Sequence, residues 1–370
     1  MHTAATDLLG IDVPIFAFSH CRDVVVEVSK AGGFGCLGAG YYTKDQLKEE
    51  LTWIDDHIEG KPYGIDVLMP NKHAPLGTVK IDPTSLPREQ SDFLKRLLDN
   101  AGVPELPKSE YEAMIRKEIE KVNMTRSESE SLFDTALEHP IKMVVNALGV
   151  PSKEQVERMQ SRDIRVGALV GKPEHAIKQK EAGVDIIIAQ GSEAGGHTGT
   201  ISSMVLWPQI IDAVAPLPVL AAGGIGRGRQ MAAAMAMGCA GIWCGSIWLG
   251  TKQSDLLPEE KECLFEGRSE DAIQSRSRTG KPARVLRSKL TEAWEQPTAP
   301  PFLPMPLQTL VTMEARLRIN RGKAKEYMSP PVGQIVSSIN DEGSVKQLIF
   351  DMLMEFTDCV ERLNSSIEAK

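Results

Sequence analysis

Eight short runs of apolar, largely β-branched residues recur along the chain, with helix-like stretches between most of them. This alternation limits the fold more than any other feature. The runs cover residues 13–18, 34–37, 63–68, 141–146, 166–170, 184–189, 219–222 and 241–244, and helical periodicity fills 22–30, 43–58, 153–160, 173–182, 205–214 and 229–237. The run Ile186-Ile187-Ile188 is apolar at every position rather than at alternate ones. Such a strand is buried on both faces, as in parallel sheet. Eight strands and their helices in this order predict a TIM (β/α)8 barrel. An open doubly wound sheet is the alternative on pattern alone.

Two segments break the repeat. Residues 70–140 hold Pro-rich turns and two polar amphipathic helices, 88–101 and 109–137, inserted after the third strand. Insertions at βα loops lie on the active-site face of a barrel, so this one reads as a lid or small subdomain, with a solvated helical decoration or a dimer contact as the alternative. Residues 252–370 open with a basic loop, pass a Pro cluster at 297–306 and close with helices at 308–319 and 345–363. The expected division is a barrel from 1–69 and 141–251, a helical insertion 70–140, and C-terminal loops and helices 252–370 packed on the barrel.

Composition narrows the class. Hydrophobic residues at 42% and charged ones at 25% are the balance of an ordinary globular protein. The net charge of −8 is the wrong sign for a nucleic-acid partner. No apolar run approaches the length of a membrane helix, and the N-terminus lacks a basic region followed by an apolar one. Six cysteines form no CxxC pair, so reduced thiols rather than disulfides or a zinc site are expected. No metal is expected. The expectation is a cytoplasmic enzyme.

The richest segment for chemistry is Gln190-Gly191-Ser192-Glu193-Ala194-Gly195-Gly196-His197-Thr198-Gly199, directly after the sixth run. Barrel enzymes place catalytic groups at the C-terminal ends of strands. Histidine can serve there as general base or proton donor, and here it sits among glycines that let backbone approach a ligand. Gln190 and Glu193 offer an amide and an acceptor suited to a heterocycle edge. The bland reading is a Gly-rich turn with an incidental His197.

The next signal is Ala222-Gly223-Gly224-Ile225-Gly226-Arg227-Gly228, a strand end whose glycines open a helix. One unit later Gly241-Ile242-Trp243-Cys244-Gly245-Ser246 repeats the design. Free N–H groups at two late strand ends make the usual barrel phosphate site, sized for a monophosphate such as that of FMN. Glycines needed only for tight turns would look the same. Arg276, Arg278, Lys281, Arg284, Arg287 and Lys289 read as a solvated basic loop or a contact for a phosphate or carboxylate. His20 and Cys21 close the first strand and could face the pocket. The HExxH, GxSxG and GxxxxGKS patterns are all missing from the sequence.

QGSEAGGHTG, VLAAGGIGRGRQMAAAMAMGCAGIWCGS, VPIFAF with KAGGFGCLG, TGKPARVLRSKL and VGQIVSSI together resemble the nitronate monooxygenase family, formerly called 2-nitropropane dioxygenases. The likeness spans the chain except 70–140. It implies a barrel that binds FMN and oxidises alkyl nitronates with O2 to carbonyl compounds and nitrite. By position it implies that Gln190, Gly195, Gly196, Gly223, Gly224 and the turn Trp243, Cys244, Gly245, Ser246 contact the flavin. It also implies that His197 is catalytic and that Gln334 lies near the cofactor. The chain departs from the family where an Asn usually follows the third strand, for Asp66 stands there in Gly64-Ile65-Asp66. A carboxylate could accept a hydrogen bond from the flavin but would disfavour its reduced anion. Two rival readings stay open: an NAD(P)H-dependent reductase of quinones or enoyl thioesters, and a non-catalytic FMN-binding barrel. Pairing as a homodimer is a further expectation.

Overall fold

A computed structural model describes residues 1–40, 42–67, 86–122 and 126–368. In chain order its elements are α1 (Ala4–Leu9), β1 (Ile15–Ser19), α2 (Arg22–Lys30), β2 (Phe34–Gly38), α3 (Lys44–His57) and β3 (Tyr63–Val67). Then come α4 (Arg88–Asn100), α5 (Lys108–Val122), α6 (Arg126–Ala136), β4 (Met143–Asn146), α7 (Lys153–Gln160), β5 (Arg165–Val170) and α8 (Pro173–Glu181). They continue with β6 (Ile186–Gln190), α9 (Ser203–Val214), β7 (Val219–Ala222), α10 (Gly228–Ala236) and β8 (Gly241–Cys244). The chain closes with α11 (Pro258–Glu266), β9 (Ala272–Ser275), β10 (Ala283–Leu286), α12 (Lys289–Trp294), α13 (Leu307–Arg321) and α14 (Val345–Glu368).

Strands β1 to β8 pair in order, all parallel, and β8 returns to β1 to close the barrel. The open-sheet alternative is thereby excluded. Side chains alternate across the barrel wall, as the two-residue period of a strand requires. Phe16, Phe34, Met143, Ile188, Leu220 and Trp243 fill the interior. Ile15, Ile65, Val144, Ile187, Ala221 and Ile242 face the helices. Each fully buried Ile or Leu of these two layers contributes roughly 1.5–3 kcal/mol through the area it removes from water.

Local chemistry sets the helix starts. Thr43 accepts from the N–H of Gln46, whose side chain reaches back to the Thr43 N–H, so α3 begins where a capping box dictates. Pro173 opens α8 at a position that needs no N–H. The short α1, which the periodicity does not announce, sends Ala5 and Leu9 into the interior cluster.

The insertion and the C-terminal segment each divide between the barrel's outer helices and a separate helical cluster. The expected second helix is two, α5 and α6, and α6 packs on α3 with Phe133 and Ala136 in the barrel's outer layer. The segment 68–85 lies outside the described residues. Helices α4 and α5 pack instead against α13. Arg318 of α13, fully buried, donates to Asp99 at 2.8 Å and to the carbonyls of Val103 and Pro104. A buried guanidinium needs such partners, and their supply is what ties α4 to α13.

Candidate active site

At the C-terminal ends of the strands the apolar interior is interrupted by two polar side chains. Asp66 alternates with Ile65 and Val67, both of which face the helices, so its carboxyl lies on the inner side of β3. Gln190 stands in the same relation to Ala189 on β6. Neither side chain makes a hydrogen bond to another described residue. Asp66 is 9% exposed, and desolvation alone pushes its carboxyl up to about 8. Its charge in turn adds to the burial that pushes the Cys36 thiol up. Phe18 and Trp243 form an apolar wall beside them, with ring centroids 6.3 Å apart.

The last two βα turns supply donors. Gly223 and Gly224 have φ of +100° and +71°, left-handed values open to glycine at no steric cost. Gln230 holds this turn: its Oε1 accepts from the N–H groups of Gly226 and Arg227, and its Nε2 donates to the Gly224 carbonyl at 2.6 Å. The N–H groups of Gly224 and Ile225, and those of Ser246 and Ile247 after β8, bond to none of the described residues. Four unengaged amides thus stand on adjacent strand ends, the type of group that can receive an anion. Gly228 serves packing instead, because a Cβ there would lie 2.0 Å from the Met352 carbonyl of α14.

The Gly-rich turn after β6 is clamped by the β9–β10 hairpin. Gly196 and Arg284 form an antiparallel bridge with N–H to O distances of 2.9 and 2.7 Å. The buried Arg284 guanidinium donates twice to the Ser192 carbonyl, at 3.1 and 2.8 Å, and once to that of Ala272. His197 is exposed and places Nδ1 2.9 Å from the Pro282 carbonyl. A carbonyl only accepts, so the proton of a neutral imidazole sits on Nδ1 and Nε2 carries the lone pair. The 332–334 segment seals the turn. The Gln334 N–H donates to the Glu193 carbonyl, the Gly333 N–H donates to the Ser246 hydroxyl, and a Cβ on Gly195 would strike the Val332 backbone at 2.8 Å.

Several sequence expectations change here. Glu193 does not offer its carboxylate to a ligand, since it accepts from the Ser203 N–H and hydroxyl at the start of α9. Cys244 lies in the outer layer, facing the helices, so only its backbone can meet a ligand. Trp243 is an interior wall residue, 6% exposed. Cys21 points away from the mouth, with its thiol on the Gln253 carbonyl at 3.0 Å. The His20 imidazole lies over Gly38, 2.9 Å from its carbonyl. Arg276, Lys281, Arg287 and Lys289 of the basic stretch are exposed, as a solvated loop would have them, and three also find partners: Arg276 bonds the Gly280 carbonyl and lies over Phe302, Arg287 pairs with Asp271, and Lys289 pairs with Glu326. Sequence reasoning missed Gln230 and the clamping role of Arg284. The first had a local signal, a glutamine three residues into a helix that follows a glycine turn. The second had none, because its partners are carbonyls 92 and 12 residues away.

Fold and site together define a (β/α)8 barrel whose late turns carry unengaged amides and whose sixth strand leads into a histidine-bearing loop. Residues 95–355 match the family model described as nitronate monooxygenase. The chain belongs to the nitronate monooxygenase family, and is an FMN-dependent oxidoreductase. It is 43% identical, over the full length of both chains, to a Mycobacterium tuberculosis protein provisionally named monooxygenase Rv1533. It is 30% identical to a Staphylococcus saprophyticus protein named as a probable nitronate monooxygenase, over 78% of this chain and 79% of the other. Among solved structures, a nitroalkane oxidase from Streptomyces ansochromogenes superposes with a TM-score of 0.78 at 26% identity, covering 98% of this chain and 100% of that one. FabK from Thermotoga maritima does so with a TM-score of 0.74 at 25% identity, covering 99% of each chain. No described helix is long and apolar enough to cross a membrane.

Proposed function

We propose that this chain catalyses the FMN-dependent oxidation of small alkyl nitronates by O2 to carbonyl compounds and nitrite. The observation that carries the reading is the fixed imidazole of His197 on the loop after β6, held through Nδ1 by the Pro282 carbonyl. The nitronate monooxygenase and nitroalkane oxidase names among its relatives support it.

FMN fits the residues present. Its phosphate would take the N–H groups of Gly224, Ile225, Ser246 and Ile247, which have no other described partner. The polar ring system would meet Gln190 and Asp66, which are likewise unengaged, with Gln334 at the edge and the backbone of Gly195, Gly196, Gly223 and the Trp243–Ser246 turn alongside. When bound, FMN supplies the electron chemistry. The protein's share is positional. His197 holds an anionic nitronate when protonated, or takes the proton of a neutral nitroalkane at Nε2 when neutral. The apolar wall of Phe18 and Trp243 keeps water from the inner face.

The test is nitrite release from propionate 3-nitronate or propyl-2-nitronate by the FMN-loaded enzyme, paired with anaerobic mixing against NADH and NADPH. Nitrite, with flavin absorbance unchanged by either nicotinamide, is the expected result. Rapid bleaching by a nicotinamide with the nitronates inert would make the chain a reductase of quinones or enoyl thioesters. Tight FMN with neither response would make it a non-catalytic flavin barrel.

A further inference from the structure

Asp66 is the one carboxyl group placed on the inner side of the barrel strands among the described residues, and none of those residues gives it a counter-charge. Its neighbours in register are Gly38 on β2 and Val145 on β4. The titratable groups nearest to it on those elements and beyond them are the Cys36 thiol, one inward position below on β2, and the imidazole of His20, which lies over Gly38. No described lysine or arginine offsets it. Burial without a cation or an N–H donor favours the neutral acid, and a neutral carboxyl is both a donor and an acceptor. The group therefore presents an O–H toward whatever occupies the mouth, in a ring otherwise made of Phe18, Trp243 and the Gln190 amide. Lost burial cost is not the only consequence of ionisation there. A ligand seated over Asp66 dehydrates the carboxyl further and so resists its ionisation.

We propose that Asp66 is a proton-holding residue of the cofactor site, which donates a hydrogen bond to an acceptor on the flavin ring and releases FMN as it ionises in mild alkali. This rests on the FMN reading given above. It makes FMN affinity pH-dependent through one residue. By linkage, the dissociation constant of wild type rises about tenfold per pH unit once the pH exceeds the midpoint of Asp66 in the free protein.

The test uses the full-length protein stripped of flavin, titrated with FMN and followed by flavin fluorescence between about pH 6 and about pH 9.5, a span that brackets the ionisation. Wild type is expected to lose affinity across the upper part of this range, while Asp66→Asn, an isostere that cannot ionise, keeps a flat profile. A flat wild-type profile, an identical slope in Asp66→Asn, or an affinity that grows with pH overturns the proposal while leaving the FMN reading intact. Failure of both proteins to bind FMN at any pH overturns the two together. A second measurement needs no flavin: the infrared difference between wild type and Asp66→Asn at neutral pH must show a protonated carboxyl C=O band that fades in alkali. Its absence also overturns the proposal.

Discussion

His197 Nδ1 and the Pro282 carbonyl oxygen lie 2.9 Å apart, joined across 85 positions of chain. One hydrogen bond thus fixes both the orientation and the tautomer of the ring, and it comes from a loop outside the barrel. Second partners of this kind set which imidazole nitrogen is available for chemistry.

His197→Asn keeps a donor that can reach the Pro282 carbonyl but removes the base. Nitrite production is expected to fall by about 10²–10⁴-fold, the usual contribution of a positioned acid or base. Bound FMN, measured by its visible absorbance after gel filtration, should be unchanged. Full activity in this variant would remove His197 from the chemistry.

Arg284 is expected to act through the turn it clamps. Arg284→Met leaves the carbonyls of Ser192 and Ala272 without their donors, at a cost of about 2–4 kcal/mol in urea unfolding. Arg284→Lys, which can still reach one carbonyl, should recover part of that loss. If Met and Lys are equally harmless, the hairpin bridge at Gly196 holds the turn without the guanidinium.

A flavin phosphate seated at the late glycine turns predicts different responses from FMN and riboflavin. Gly224→Ala forces a residue with a Cβ to φ +71° and brings that atom to 3.2 Å from the Glu193 side chain. A left-handed non-glycine residue costs about 1–2 kcal/mol, so FMN affinity should fall about tenfold as the turn shifts. Riboflavin, which has no phosphate, should bind the variant as it binds wild type. Equal losses for both ligands would place the phosphate elsewhere.

Stability should also report on Asp66. Its carboxyl is neutral in the folded state up to about 8, whereas in the unfolded chain it ionises near the ordinary value of 3.8. Between these limits the folded state holds the extra proton, so stability falls as pH rises, by about 1.4 kcal/mol per unit from this group alone. Above the upper limit the loss levels off. Urea titrations near pH 5 and near pH 8.5 should therefore show Asp66→Asn gaining several kcal/mol on wild type at the higher pH. A constant difference between the two proteins would mean that Asp66 is already ionised when folded.

The barrel was legible because its determinants are local. Strand runs buried on both faces, the Thr43 capping box and Pro173 at a helix start each act within a few residues, and the observed strands β2, β7 and β8 begin at the expected residues. The elements of the C-terminal segment were less so. In sequence the β9–β10 hairpin looks like a solvated basic loop or an anion contact, because charge alone does not reveal that Arg284 is buried against carbonyls. The split between α5 and α6 was hidden by a continuous polar periodicity.

At the site, sequence determined which residue types stand at the strand ends: the glycines of the late turns, the histidine after β6 and an acid near the end of β3. Tertiary structure decided what each can do. It turned Glu193 toward the start of α9, set Cys244 among the helices, engaged Nδ1 of His197 and left the Asp66 carboxyl without a partner among the described residues. The physical reason is that a side chain's chemistry depends on what surrounds it, and here the neighbours come from segments tens to hundreds of residues away. Periodicity encodes the wall of the barrel, whereas burial and hydrogen-bond partners, which only closure of the chain supplies, make it a site.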